Sequence, residues 1–262
     1  GQMVVAKNLR ALLTDSAIAQ SHANCGKVQD AYSLRCMPQV HGAARDGIGF
    51  ARGVLAREIN AATDNPLVFP GESSDPADGD IVSGGNFHGM PLAIPLDCAA
   101  IALAHVAGIS ERRTFLMLAA ADPEAHLRPY LSPHPGVSSG LMIAQYTAAA
   151  CCNEIITLAT PASVSNITTS AGMEDYNSFG PRSAAKAARA LELARNVIAI
   201  ELLCASQALE YQRPLLSGAG VEEAYQTVRG VVPPLAADRS PSPDIEAIAE
   251  LIAEGAFSAD TR

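Results

Sequence analysis

Residues 91–118 read PLAIPLDCAAIALAHVAGISERRTFLML, and this stretch decides the fold class. Ala and Leu, good helix formers, dominate it, and its apolar residues fall on nearly every face of a helix rather than along one stripe. Asp97, His105 and the run Ser110-Glu111-Arg112-Arg113 interrupt it. A helix apolar all round is enclosed by other helices or by lipid. The polar interruptions leave no unbroken apolar run of ~18 residues, so enclosure by helices is expected and no membrane partner.

The flanks supply candidate neighbours. Upstream, a helix is expected from about Val4 to Leu13, then a polar stretch to Cys36. Pro38 opens a second, longer helix reaching about Thr63, on which Val40, Ala44, Ile48, Ala51, Leu55 and Ile59 recur at three- and four-residue spacing. Asp64-Asn65-Pro66 stops it, because proline disfavours helical geometry in the residue before it. Leu67-Val68-Phe69 and Asp80-Ile81-Val82-Ser83, either side of an acidic Gly/Ser/Pro loop, suit a short β-hairpin. Downstream, a Pro/His-rich loop leads to a helix from about Val137 to Ala159. A polar segment of about 24 residues (160–183) follows, too long to be a mere connector in a compact helical domain. Ser183 then caps a helix to Tyr211 that carries Lys186, Arg189, Glu192 and Arg195 on one face. Two shorter helices near 220–229 and 243–254 complete the pattern. The expected fold is all-α, a bundle of long helices with at most a short β-hairpin. Residues 1–211 would form the bundle and its loops, and 212–262 a cap of short helices. The all-round apolar helix asks for more neighbours than one chain provides, which points to an oligomer.

Composition narrows the function. Of 262 residues, 48% are hydrophobic and 17% charged, which excludes intrinsic disorder. A net charge of −9 argues against nucleic acid or an anionic membrane as partner, since both demand clustered Lys and Arg. The six cysteines show no zinc spacing and the six histidines no paired motif, so no metal site is expected. Free cysteines in Ala/Leu-rich stretches behave as small hydrophobes, and a reducing cytoplasm is the expected location. The opening GQMVVAKNLRALL has no signal-peptide pattern. The glycines at 47, 49 and 53 lie mid-helix without a preceding strand, and Ser183-Ala184-Ala185-Lys186 lacks the companion motifs of a β-lactamase.

Three segments gather chemistry where the backbone is expected to be irregular. Gln29-Asp30-Ala31-Tyr32-Ser33-Leu34-Arg35 sets an amide, a carboxylate, a phenol and a guanidinium within seven residues. Arg35 suits a substrate carboxylate through its planar fork, and Tyr32 suits proton transfer beside positive charge. Ser83-Gly84-Gly85-Asn86-Phe87-His88-Gly89 presents Asn86 for hydrogen bonding, Phe87 for stacking and His88 as a polar aromatic. Glu174-Asp175, inside the long polar segment, suits a cationic group or a proton shuttle. Each also has a plain structural reading: a polar loop pinning helix ends, a glycine turn before a helix, and acids in a helix's first turn.

Taken in order, VQDAYSLRCMPQVHGAARD (28–46), TDNPLVF (63–69), SGGNFHG (83–89), GISERR (108–113), SSGLMIAQYTAAA (138–150), TPASVSNITTSAGMED (160–175) and VIAIELLCASQALE (197–210) resemble the aromatic amino acid ammonia-lyases, the histidine-specific branch most closely. The resemblance covers about residues 2–251. It implies elimination of ammonia from histidine to give urocanate, by an electrophilic methylidene-imidazolone (MIO) formed from an internal Ala-Ser-Gly. No Ala-Ser-Gly occurs in these residues. The family's N-terminal half has no counterpart here, so the chain resembles a C-terminal half, inactive alone and needing the missing half as partner. The resemblance implies that Arg35 binds the substrate carboxylate and that Tyr32, with Gln29 beside it, works near the prosthetic group. Asn86, Phe87 and His88 would line the site, and Glu174 would face the imidazole. It implies a homotetramer whose sites are each built from three subunits. Met90 after NFHG and Tyr176-Asn177-Ser178-Phe179 after Glu-Asp depart from the histidine pattern. They leave a phenylalanine or tyrosine ammonia-lyase, an aminomutase, or a non-catalytic scaffold open.

Overall fold

The protein is described by a computed structural model that covers residues 1–257 apart from 74 and 76. Three short elements lead in: α1 (Gln2–Leu13), α2 (Ala17–Ser21) and the single turn α3 (Tyr32–Arg35). The bundle follows as α4 (Met37–Glu58), a hairpin of β1 (Leu67–Pro70) and β2 (Gly79–Val82), α5 (Met90–Ala119), α6 (Met142–Leu158) and α7 (Gly180–Glu210). The chain continues through α8 (Ala219–Arg229) and α9 (Ser242–Ala253). The hairpin is antiparallel, with Leu67 opposite Val82 and Phe69 opposite Asp80. The all-α bundle with one short hairpin is thus the fold observed.

Individual contacts fix the helix directions. Gly89 and Gly180 touch at one end of α5 and α7, and Arg113 meets Glu201 near the other, so these two run parallel. Helix α4 is antiparallel to α5, since His41 meets Arg113 while Gly47 approaches Ala102. Helix α6 is antiparallel as well: Gln145 at its start donates to Glu111 (2.6 Å), and Ala162, just past its end, reaches Asp97 (2.8 Å). The core runs along α7, where Val197, Ile200 and Leu203 pack with Ile155 of α6 and with Val228, Ile245 and Ile248. The segments beyond 211 share this core rather than forming a separate one.

Helix α5 occupies the position its sequence demanded, between α4, α6 and α7. Against the run-length argument, its 30 residues are long and apolar enough to cross a membrane by length and composition alone. Its buried Ser110, Glu111 and Thr114 are instead bonded to helix neighbours and Asp97 Oδ2 to a loop, as in a core helix, while Asp97 Oδ1 is left without a partner among the described residues. Asp97 Oδ2, for example, accepts from the amides of Ala162 and Ser163 at 2.8 and 2.7 Å.

Helix ends depart from expectation in four places, each for a local reason. Helix α4 stops at Glu58 rather than near Thr63, because the Asn60 amide turns back to donate to the Ala56 carbonyl at 3.2 Å. Helix α6 starts at Met142, not near Val137: Gly140 has φ +60°, and Asp238 takes the Ser139 and Gly140 amides at 2.7 and 2.9 Å. Helix α7 starts at Gly180, so Ser183 is not its cap; its hydroxyl is buried without a hydrogen-bond partner among the described residues. Finally, Tyr32–Arg35 is a helical turn rather than irregular chain.

Candidate active site, divided between two ends of the bundle

The first cluster is built on α3. Leu34 and Arg35 donate their amides to the Ala31 carbonyl (3.0 and 3.1 Å), and Cys36 to that of Tyr32 (2.9 Å). This turn folds Gln29, Tyr32 and Arg35 onto one spot. The Arg35 Nη1 donates to Gln29 Oε1, and the guanidinium lies 5.6 Å from the Tyr32 ring centroid. Tyr32 is 72% exposed, and its hydroxyl has no hydrogen-bond partner among the described residues. Behind the turn is a cavity of about 520 Å³, lined by Gln29, Leu34, Arg113, Met117, Asp122 and Glu201 among others.

A network that sequence reading missed stands under this turn. Arg113 of α5 forms a two-pronged ion pair with Glu201 of α7, with Nη2 donating to Oε2 at 2.8 Å. Ser110 Oγ donates to the same carboxylate at 2.5 Å. The remaining Arg113 nitrogen, Nη1, lies 3.3 Å from the Ser33 carbonyl and 3.3 Å from His41 Nε2. Arginine only donates, so His41 accepts through Nε2 and is neutral. Burial first, then the Arg113 charge, hold the His41 pKa below its ordinary 6.5, against an opposing pull from Glu201. Arg45, on the same helix, lines the groove beside it.

That shift has a sign. The folded protein binds the His41 proton less readily than the unfolded chain, so protonation favours unfolding. Its contribution to stability is intact above pH ~6.5 and lost as pH falls below that value toward the lowered folded pKa. Thermal melting followed from pH 7.5 to 5 is expected to show a steeper acid loss than in His41→Gln, whose amide oxygen accepts from Arg113 without titrating. Parallel melting curves would contradict it.

The second cluster lies at the other end, where α5 and α7 begin. A Cβ on Gly180 would sit 3.2 Å from the Gly89 carbonyl, so the backbones approach as closely as glycine permits. Asn65 Oδ1 accepts from Ser83 Oγ (3.1 Å) and the Gly84 amide (3.0 Å), tying the hairpin to the glycine turn. Asn86 donates to the Ala62 carbonyl, and Phe87 is 59% exposed. His88 Nδ1 accepts from the Met90 amide at 3.3 Å, so the proton sits on Nε2, which donates to the Tyr176 carbonyl at 2.9 Å. The two rings stack with centroids 6.4 Å apart. His88, expected to bind substrate, spends both ring nitrogens on the scaffold.

Glu174 sits on the loop that His88 anchors. It lies outside any helix's first turn, so the dipole explanation for its position does not apply. Thr169 and Glu174 exchange backbone hydrogen bonds at 2.9 and 3.3 Å, closing a four-residue tip. Ser170, Ala171 and Gly172 all have positive φ (51°, 53° and 96°), a strained run of the kind found where function fixes a backbone. Thr169 Oγ1 donates to Glu174 Oε2 at 2.6 Å, and Oε1 has no partner among the described residues. Asn177 braces the same tip, donating to the Ile167 carbonyl at 2.5 Å. Thr169 was not singled out from sequence, where a short polar residue in a loop carries no distinguishing pattern, and Asn177 entered there only as a departure from the histidine pattern.

One chain brings Gln29, Tyr32 and Arg35 together, and separately Asn86, Phe87, His88 and Glu174. It does not join the two clusters. Arg113 marks one and Met90 the other on the same helix, ~35 Å apart at a rise of about 1.5 Å per residue. That is far beyond the span of a single amino acid.

The chain is similar over nearly its whole length to known proteins. A histidine ammonia-lyase of Anaeromyxobacter sp. is 53% identical over 258 residues, covering 97% of this chain and 49% of the relative. The crystal structure of histidine ammonia-lyase from Trypanosoma cruzi superposes with a TM-score of 0.84 at 42% identity, covering 98% of this chain and 46% of that one. Tyrosine aminomutase from Streptomyces globisporus follows with 0.83 at 34%, covering 98% and 51%. The chain thus spans about half the length of the curated relatives it matches. Residues 1–230 match the aromatic amino acid lyase family, and the chain belongs to it.

Proposed function

We propose that this chain supplies the carboxylate-binding and side-chain-binding parts of an ammonia-lyase that converts histidine to urocanate and ammonia. The observation that carries the reading is Glu174: an exposed carboxylate on a strained tip, one oxygen fixed by Thr169 and the other open. A carboxylate there suits an imidazole, which offers an N–H donor and can carry positive charge. Arg35 holds the substrate carboxylate through its fork, with Gln29 fixing the plane of the guanidinium. Tyr32, its hydroxyl open, accepts or returns the proton handled beside the substrate. Phe87 stacks on the substrate ring, while Asn86 and His88 hold the loops that carry Phe87 and Glu174.

The family's methylidene-imidazolone does not form from this chain, which contains no Ala-Ser-Gly. The chain does fit as its surround, because Tyr32 on the turn α3 and Phe87 on the glycine loop are both exposed. When present, that group supplies the electrophile that makes the amino group able to leave. We place its source in lyase sequence outside these 262 residues.

Assembly completes the site. The ~35 Å between the clusters means that Arg35 and Glu174 of one copy serve different substrate molecules. Apolar side chains on the bundle's outer faces, Ile48 and Phe50 of α4, Ile94 and Ile101 of α5, Ile143 and Ile156 of α6, are left for other subunits to cover. A homotetramer in the family's manner supports both requirements.

The likeness to tyrosine aminomutase, with Tyr176 and Asn177 beside Glu174, favours a second reading: a phenylalanine or tyrosine lyase or aminomutase. One experiment separates them. The assembled lyase given histidine is expected to accumulate urocanate, followed by its ultraviolet absorbance and by ammonia release. Cinnamate or coumarate from phenylalanine or tyrosine, without urocanate, would overturn the substrate. A β-amino acid product would make it a mutase, and no product from any of the three would leave only a scaffold.

A further inference from the structure

We propose that Arg113 is a positioning residue for Tyr32 and Arg35, acting through the backbone of the turn between them. The inference rests on the placement of those two residues in the active site. Ser33 is buried while its neighbours Tyr32 and Arg35 are exposed, so the turn is fastened by its inner residue and displays its outer ones. The fastening is the Arg113 Nη1 to Ser33 carbonyl hydrogen bond at 3.3 Å. Among the described residues no other side chain donates to a backbone carbonyl of residues 32–35.

Arg113 is itself held rigidly. Its side chain is 13% exposed and that of Glu201 18%, and the carboxylate takes both Nε and Nη2. Ser110 braces the carboxylate from α5, and neutral His41 accepts from Nη1 on the α4 side. The guanidinium therefore has its fork committed to α7 and its remaining nitrogen committed to α3 and α4. A planar group with fixed donors transmits position in a way that a flexible ammonium does not. The consequence is that α4, α5 and α7 jointly set where the Arg35 fork and the Tyr32 hydroxyl stand. A cavity of about 520 Å³ lies against the same turn, so packing alone leaves the turn free to shift.

The test is Arg113→Lys in the assembled lyase. The ammonium keeps the charge opposite Glu201 and gives up the fork that also reaches Ser33 and His41. Amide exchange at Leu34, Arg35 and Cys36, whose N–H groups close the turn, is expected to quicken about tenfold, the loss of one charge-assisted hydrogen bond. Exchange in the middle of α5 and α7 should stay as it was. KM should rise as Arg35 loses its setting, and kcat should fall as Tyr32 does, with the melting temperature little changed. A melting temperature that drops while kcat and KM per folded enzyme stay put would show a purely structural pair. Unchanged exchange at the three amides would overturn the positioning role whatever the kinetics. Faster exchange with unaltered kcat and KM would keep the fastening and overturn the assignment of Tyr32 and Arg35 to the site. Should Arg113→Lys not assemble, Arg113→Gln with Glu201→Gln removes both charges together and carries the same measurements.

Discussion

Replacing Arg35 by alanine in the assembled lyase is expected to lower kcat/KM by about thirtyfold or more, most of it through KM. Truncating one partner of a desolvated, hydrogen-bonded charge pair costs about 2–5 kcal/mol, and a bidentate guanidinium–carboxylate pair is of that kind. At about 1.4 kcal/mol per decade this is a loss of roughly thirty- to several-thousandfold. Arg35 is exposed in the chain itself and, among the described residues, its side chain hydrogen-bonds only to Gln29, so folding loses little. Arg35→Lys keeps a point charge without the fork and should recover only part of the loss. Steady-state kinetics on all three forms, with melting curves alongside, check the expectation. If alanine at 35 leaves KM and kcat where they were, the guanidinium does not touch substrate.

Replacing Glu174 by glutamine is expected to cost about a hundredfold in kcat/KM for histidine. The amide keeps the shape and an oxygen that accepts from Thr169, so the tip with its three left-handed residues should persist. What disappears, in the proposed site, is the negative charge opposite the imidazole, worth about 3 kcal/mol when hydrogen-bonded to a charged or polarised ring. The loss should be specific. Any residual turnover of phenylalanine, which has no ring N–H to satisfy, should change far less. Comparing kcat/KM for the two amino acids before and after the substitution reads this directly. Equal losses on both would assign Glu174 to the reaction common to all such substrates rather than to the imidazole.

The long helices were legible because enclosure leaves a direct trace in composition. Helix α5 could be placed at the centre from its all-round apolar surface, and α4 from the stripe of Val40, Ala44 and Ala51. Helix ends were harder, since distant partners decide them. Asp238 takes the amides before α6 from about a hundred positions away, and no local pattern announces this. The site was legible as chemistry: a guanidinium, a phenol, an amide and a carboxylate could be named from their types. Their arrangement was not. His88 looks like a ligand in sequence, and becomes a tether only when the Tyr176 carbonyl arrives opposite it. Arg113 was hidden for a related reason, because its key partner is a backbone carbonyl, which every residue possesses. The separation of Arg35 from Glu174 depends on which end of α5 each loop visits, a property of the folded bundle alone.

The distance along α5 also decides who is harmed by a defect. In the proposed assembly each protomer would lend its guanidinium to one pocket and its carboxylate to another, so a lesion at either end would disable a pocket that other chains helped to build. Damage would thereby be shared among neighbours instead of being confined to its carrier. By the same token, two differently crippled chains, one lacking Arg35 and the other Glu174, would together restore some intact pockets that neither forms by itself.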